Sequence, residues 1–254
     1  MSFAQIKQMR NFHNNVKKQI IHTVCNNRTS MLDIGVGRGG DILKWHNANI
    51  QNVIGIDLDS SYIQEARNRF ENSTHSIKRR NYKFYEYNGS DINVFLTENK
   101  LLTKFEVISC QFAIHYFFKD QETLTYFLRQ VSNMLNTGGY FIGTAMSGNK
   151  IHEFLKRKDT NGIIYIKKMY ETLNYIGDLI HVYMHGTLYF KEHSISEEYL
   201  VFEEKLIEEC KKYNLKVIST SSFEDLYAHA LYDISFQNIK ETSFLNFTFI
   251  FQKV

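Results

Sequence analysis

Proline is absent from the 254 residues, and there are only three cysteines and one tryptophan. The missing proline accompanies plentiful Asn, Ile, Lys, Tyr and Phe, a bias that fits an AT-rich genome as readily as a structural demand and points to no function. Cys25, Cys110 and Cys210 are too few and too far apart for a disulfide framework or a zinc-ligand set, which predicts reduced, mostly structural thiols. The ten histidines are scattered as well, so no metal is expected. No apolar run approaches the roughly 20 residues that span a bilayer. The opening MSFAQIKQMRNFHNN lacks the apolar centre of a signal peptide. Both absences predict a soluble, intracellular protein with no membrane partner. A net charge of +3 is too small to mark a nucleic-acid binder by itself, and the local cluster Lys78, Arg79 and Arg80 suits a solvated turn.

What is present is a globular composition, 43% hydrophobic and 22% charged. The length suits one large α/β domain over residues 1–254 better than two independent ones. Phe3, Ile6, Met9, Phe12, Val16 and Ile20 recur at the helical period, so residues 1–28 read as one or two amphipathic helices. Ser30 to Ile34 is a short apolar strand running into glycines. A helical pattern follows Gly40, and Asn52 to Ile56 is a second strand ending at Asp57. A helix over Ser60 to Arg69, strands at Tyr82 to Tyr87 and Phe105 to Cys110, and a helix from Gln121 to Leu135 come next. That helix stops at Asn136, Thr137, Gly138 and Gly139, and Tyr140 to Thr144 makes a fifth strand. This alternation indicates a parallel sheet covered on both faces. From Gly148 to Tyr199 the rhythm changes to aromatic and β-branched stretches such as IIYIKKMY and HVYMHGTLYF, read as an antiparallel insertion forming a lid (148–199). A helix over Leu200 to Tyr213 and a strand over Leu215 to Ser219 resume the α/β pattern, and Phe244 to Phe251 suits a last strand at the sheet edge. No internal repeat or linker is found.

The central motif is Asp33-Ile34-Gly35-Val36-Gly37-Arg38-Gly39-Gly40-Asp41, between a strand and a helix. Glycine there lets the backbone approach a ligand, and the following helix N-terminus offers unpaired N–H donors. Gly35, Gly37 and Gly40 also satisfy the dinucleotide pattern, so the turn alone does not separate NAD from S-adenosylmethionine. Asp57, closing the next strand, is placed for the ribose hydroxyls of a nucleoside, and Asp91, after the third strand, for an adenine amino group. Either aspartate taken alone also suits ordinary turn chemistry. Asp33 immediately before the glycines favours the methyltransferase pattern.

Several stretches resemble the mRNA cap guanine-N7 methyltransferase family. They are Asn14-Asn15-Val16-Lys17-Lys18, LDIGVGRGGDILKW at 32–45, FEVISCQFAIHYFF at 105–118, GGYFIGT at 138–144 and EEYLVFEEKLIEECKKYNLKVI at 197–218. Gln111 to Tyr116 directly after the fourth strand is the most specific of them. The resemblance implies a class I, Rossmann-like methyltransferase fold, α/β, with a mainly parallel seven-stranded sheet and an antiparallel insertion before the last helices and strands. It implies S-adenosylmethionine as cofactor, with S-adenosylhomocysteine as product, held by Lys18, Asp33, Gly35, Gly37, Asp57, Leu58, Asp91, Gln111 and Tyr116. Lys18 would pair with the donor carboxylate.

The cap would be met by Asn14, Asn15, Arg38, Lys44, Arg69, His115, Glu198 and Asn246. Arg38, Lys44 and Arg69 suit its phosphate bridge. Glu198 suits guanine N1–H and the exocyclic amine, and His115 suits O6. Two departures stand out. Ser196 and Glu197 precede Glu198 where the family usually has a proline, so Glu197 competes for its role. SFLNFTFIF offers Asn246, or Phe244 in a shifted register, where the family commonly has a cap-contacting tyrosine. Large DNA viruses carry relatives of this family, often as one domain of a larger capping enzyme, so the location implied is cytoplasmic if viral and nuclear if cellular. The partners implied are the capped 5′ end of RNA (GpppN) and triphosphatase and guanylyltransferase domains or subunits of the same pathway. Guanine N7 has a lone pair and no proton to remove, so no catalytic side chain is expected, only orientation. The residues leave open a class I methyltransferase acting on a small molecule and a silent stimulatory subunit of a capping complex. A NAD-dependent dehydrogenase is disfavoured, since no separate substrate domain follows.

Overall fold

A single helix, α1 (Phe3–Cys25), opens the chain. Met9, Phe12, Val16, Ile20, Ile21 and Val24 are buried along it, the spacing that one apolar helical face requires. The computed structural model describes residues 3–26, 28–87, 91–184, 195–228 and 234–254. After α1 come β1 (Ser30–Ile34), α2 (Ile42–Asn47), β2 (Asn52–Asp57), α3 (Ser60–Glu71), α4 (His75–Lys78), β3 (Asn81–Glu86), α5 (Ile92–Glu98) and β4 (Phe105–Gln111). A 3-10 turn (Ile114–Lys119), α6 (Gln121–Met134) and β5 (Leu135–Met146) follow. The remainder is α7 (Gly148–Leu155), β6 (Ile164–Lys168), β7 (Leu179–Met184), β8 (Ser196–Tyr199), α8 (Glu203–Lys211), β9 (Leu215–Ser222), α9 (Phe223–Tyr227), α10 (Gln237–Phe244) and β10 (Asn246–Lys253).

Seven strands form one sheet in the order β3-β2-β1-β4-β5-β10-β9, and β6, β7 and β8 form a separate antiparallel sheet. β1 to β5 are mutually parallel, whereas β10 runs antiparallel to both β5 and β9. The parallel strands are apolar on both faces because both are covered. Leu32, Ile34, Ile54, Ile56 and Ile108 face one core with Leu124, Leu128 and Leu206, while Met31, Val53 and Val107 face the other with Ile21, Trp45 and Ile63.

Three details differ from the sequence reading. β10 lies between β5 and β9, not at the edge; Asn246 to Ile250 and Phe251 are buried, and the edge is β9, whose side chains alternate in exposure. Layers on both faces of the sheet bury these side chains, and the two hydrogen-bonding edges of β10 are taken by β5 and β9. The insertion begins with a helix, α7, whose Ile151 and Phe154 pack on the inner face of the small sheet; residues 185–194 of the stretch read as antiparallel lie outside the described residues. The residues expected to stop α6 lie instead within β5. Its register jumps from Leu135, opposite Phe105, to Tyr140, opposite Val107, and Gly138 has φ +76°. The turn signal is absorbed as an irregularity in the strand. No helix among the described residues is long and apolar enough to cross a membrane.

α1 is anchored across the sheet end by aromatic contacts. His13 stacks on Phe112 at 5.7 Å, meets Phe223 edge-on at 5.2 Å and shares a 3.0 Å hydrogen bond with Ser243 Oγ. Burial, with Lys17 nearby, pushes the His13 imidazole down to about 3. The unfolded chain therefore takes up a proton near the ordinary histidine pKa, well before the folded one does. His13 thus leaves stability intact above about pH 6.5 and lowers it by about 1.4 kcal/mol for each pH unit below, until the folded imidazole itself titrates near 3. Urea unfolding of the native chain and of His13→Phe at pH 7 and pH 5 checks this; about 2 kcal/mol of the acid loss should vanish in the variant, and equal losses would contradict it.

Candidate functional site

The site forms where β1, β2 and β4 end. After β1 the chain turns back on β2: the Gly35 and Val36 N–H groups donate to Ile56 O at 2.9 and 3.0 Å, and Gly37 N–H donates to Asp57 Oδ2 at 2.8 Å. The other Asp57 oxygen accepts from Asp59 N–H at 3.0 Å, so Asp57 is fixed against the turn. Two glycines are required here. Gly35 has φ +75°, and a Cβ there would lie 2.5 Å from the Ala113 Cβ. Gly37 has φ +53° and nothing within 4 Å of a Cβ position, so that side of the turn opens onto space for a ligand. Leu58 beside it is 65% exposed.

Below the turn lies a buried charge cluster. Asp41, 6% exposed, forms ion pairs through Oδ1 with Lys17 at 2.8 Å and Lys44 at 2.7 Å, and its Oδ2 accepts a hydrogen bond from Lys17 at 2.9 Å. Lys44 also donates to Asn14 Oδ1 at 2.9 Å and Gly40 O at 3.1 Å. Burial alone would raise the Asp41 carboxyl, but the two ammonium groups overcome it and bring it to about 2. Asp33 is the reverse case: burial first, then the Asp41 charge, push it up to about 7, and its Oδ1 is buried without a hydrogen-bond partner. An orphaned acidic oxygen beside the open glycine turn suits a cationic ligand group.

The nucleoside side is less open than the sequence suggests. Asp91 caps α5, accepting from Val94 N–H at 2.9 Å and from the Tyr126 hydroxyl at 2.5 Å. Gln130, also on α6, accepts from Ile92 N–H at 2.7 Å. Gln111 is buried, accepts from Thr144 Oγ1 at 3.1 Å and donates to Ser109 Oγ at 3.3 Å. The 3-10 turn after β4 then lifts His115 and Tyr116 out of the sheet plane with ring centroids 4.1 Å apart. Tyr116 is half-exposed; burial, then the nearby charges of Glu198 and Asp57, raise its phenol above the ordinary range, while Ser196 hydrogen-bonds it.

Opposite stands Glu198 on β8, its Oε2 3.8 Å from His115 Nδ1. Pairing of β8 with β7 decides between the two glutamates: Glu198 lies opposite Ile180, whose side chain is buried, whereas Glu197 lies opposite His181 and meets its Nε2 at 3.5 Å on the other face. Burial lowers the His115 pKa despite Glu198, and its Nε2 is buried without a partner. The 3.8 Å separation exceeds hydrogen-bond reach, so a neutral His115 is free to carry its proton on Nε2.

The remaining expected residues divide. Asn15 is close by, with its Nδ2 buried and unpartnered. Arg38 lies over the Tyr62 ring at 4.7 Å and 3.3 Å from Glu65, and the exposed Arg69 reaches within 3.8 Å of where a Gly40 Cβ would stand. Three placements depart from the sequence reading. Lys18 is exposed, and the α1 lysine turned towards the glycine turn is Lys17, since consecutive helical residues point about 100° apart. Lys44 is 9% exposed and committed to Asp41. Asn246 is buried and donates to Thr242 O and Ser243 O, closing the end of α10. Sequence reasoning missed Lys17, Tyr126 and the role of Asp41; the only advance signal was a lysine three residues after an aspartate at a helix start.

The family model described as mRNA (guanine-N(7))-methyltransferase domain matches residues 1–243. The chain belongs to this family. A probable mRNA-capping enzyme of Acanthamoeba polyphaga mimivirus is 29% identical over 258 residues, which is 86% of this chain and 22% of that protein. The mRNA cap guanine-N(7) methyltransferase of Caenorhabditis elegans is 33% identical over 157 residues, covering 58% and 41%, and that of Drosophila melanogaster is 27% identical over 256 residues, covering 90% and 58%. The chain thus spans about a fifth of the viral relative and about two fifths to three fifths of these cellular ones. Among solved structures, an S-adenosylmethionine-dependent methyltransferase from Clostridium acetobutylicum aligns with TM-score 0.62 at 18% identity over 97% of this chain and 91% of that one. The glycopeptide N-methyltransferase MtfA with bound S-adenosylmethionine aligns with TM-score 0.58 at 10% identity, covering 94% and 93%. These likenesses show the class I methyltransferase fold.

Proposed function

We propose that the chain transfers a methyl group from S-adenosylmethionine to guanine N7 of the mRNA 5′ cap. One observation carries the reading: Glu198 from the small sheet and His115 from the turn after β4 face each other at 3.8 Å, with Tyr116 feeling both Glu198 and Asp57. The acceptor side, at Glu198 and His115, and the donor side, at Asp57, therefore meet at one tyrosine. The bound donor supplies a methyl group already activated by its sulfonium. Asp57 retains acceptor capacity for ribose hydroxyls, Leu58 flanks the adenine, and Asp91 faces its edge. Asp33 faces the donor's cationic end, with Lys17 rather than Lys18 the better-placed lysine.

Glu198 accepts from guanine N1–H and the exocyclic amine, His115 Nε2 donates to O6, and Arg38 and Arg69 meet the phosphate bridge. N7 has no proton to lose, so these groups orient the acceptor and exclude water, drawing on the roughly 7 to 11 kcal/mol that alignment can provide. The acceptor, GpppN, comes from triphosphatase and guanylyltransferase steps; the size of the viral relative, named a capping enzyme, supports their lying on the same polypeptide in such proteins. Replacing the acceptor by a 7-deazaguanosine cap tests the reading: binding should persist and transfer vanish, and methyl incorporation into that analogue would contradict it.

Donor binding should also release a proton. Asp33, held at about 7 by burial and by Asp41, is driven to its ionised form by a neighbouring cation, so affinity should rise with pH through about 7 and level off above it. Calorimetric titration at pH 6 in buffers of different ionisation heat measures the released proton, and Asp33→Asn should abolish it. A buffer-independent heat for the native chain would contradict this.

A further inference from the structure

We propose that the outward face of α1 is the surface along which the RNA chain leaves the cap, with its phosphodiesters lying against Lys7 and Arg10. The inference rests on the cap-methyltransferase reading. Lysine and arginine nearly balance aspartate and glutamate over the whole chain, 30 against 27, yet residues 1–28 contain Lys7, Arg10, Lys17, Lys18 and Arg28 and no acidic residue. α1 and the residues just after it therefore form a positive stretch with no negative charge inside it. Lys17 is taken by Asp41. Lys7, Arg10, Asn11, Asn14 and Lys18 are exposed on the arc opposite Met9, Phe12 and Val16. Lys7, Arg10 and Lys18 have no ion-pair partner among the described residues. A solvated helix face normally sets acids three or four residues from its bases; this one has none to stitch its cations.

Position decides the occupant. Asn14 lies on the same arc and accepts from Lys44, which sits on Asp41 beneath the glycine turn. From Asn14 back to Lys7 is roughly 10 Å of helix, so the arc starts at the site and leads away from it. The acceptor is the end of a polyanion, and its remaining phosphates must follow some surface outwards. Lysine and arginine contacts to phosphates are indifferent to sequence. The other basic run, Lys78 to Arg80 with Lys83, precedes and opens β3, at the opposite end of the parallel strands from the glycine turn after β1.

The test compares the GpppG dinucleotide with a short capped oligoribonucleotide as acceptors for the native chain and for Lys7→Ala/Arg10→Ala. The dinucleotide kcat/KM should be unchanged within about twofold, while KM for the RNA should rise about tenfold at low salt with kcat kept. The slope of log affinity against log salt for RNA should fall by about 1.4, which is two phosphate contacts. Lys7→Arg/Arg10→Lys should restore both. An equal response of the two acceptors, or none on the RNA, overturns the inference; the latter would assign these cations to an acidic protein partner. Inactivity of the native chain on the dinucleotide would instead sink the parent reading.

Discussion

Asp41→Ala should lose about 3 to 5 kcal/mol of stability and lower the melting midpoint by on the order of 10 °C. The reason lies in what stays behind. Lys17 and Lys44 both reach the same Asp41 oxygen, at 2.8 and 2.7 Å, with side chains only 15% and 11% exposed. Without the aspartate two poorly solvated ammonium groups face each other with no anion between them. The same loss would loosen α1 from the glycine turn, since Lys17 ties the helix and Lys44 ties Asn14. Removing one cation as well should relieve the repulsion, so Lys17→Met in an Asp41→Asn background should be more stable than Asp41→Asn alone. Thermal melts of the four chains in this cycle measure the coupling. Additive losses would show that the three groups do not act as a unit.

Glu198→Gln should cut methyl transfer to GpppG by about a hundredfold or more, with donor affinity unchanged. Two charge-assisted hydrogen bonds to guanine are at stake, each worth about 1.5 to 3 kcal/mol, and the amide would present a donor where the base also donates. Glu197→Gln should do little, because Glu197 faces His181 on the far side of the small sheet. Equal loss in the two variants would mean that the register of β8 does not select the acceptor group.

The parts of the fold legible in the sequence were those with one physical cause. Ser30–Ile34 and Asn52–Asp57 are apolar runs ending at turn residues, and only a covered parallel strand satisfies that pattern together with the helices between them. Phe244 to Phe251 read as a last strand at the sheet edge, whereas Phe244 ends α10 and the strand, Asn246–Lys253, is interior. An apolar pattern reports the layers that cover a strand's faces and not the strands at its edges, so its place between β5 and β9 was out of reach. The Asn136 to Gly139 turn signal was real, yet a strand accommodated it by skipping register.

At the site, the meeting of Asp57 with the glycine turn was legible because adjacent parallel strands bring their ends together. Lys17 against Lys18 was not, since two adjacent lysines flanked by Val16 and Ile20 differ only in helical phase. Asn246 was assigned to the acceptor by position in a motif, whereas its amide donates to the last carbonyls of α10.

The most direct test of the account is methyl transfer from radiolabelled S-adenosylmethionine to GpppG, GpppA and an N7-methylated cap analogue, with Glu198→Ala alongside. The account predicts label on the first two, recovered as 7-methylguanine, none on the third, and loss of transfer in the variant. Label on the N7-methylated analogue, or donor binding without transfer to any acceptor, would contradict it.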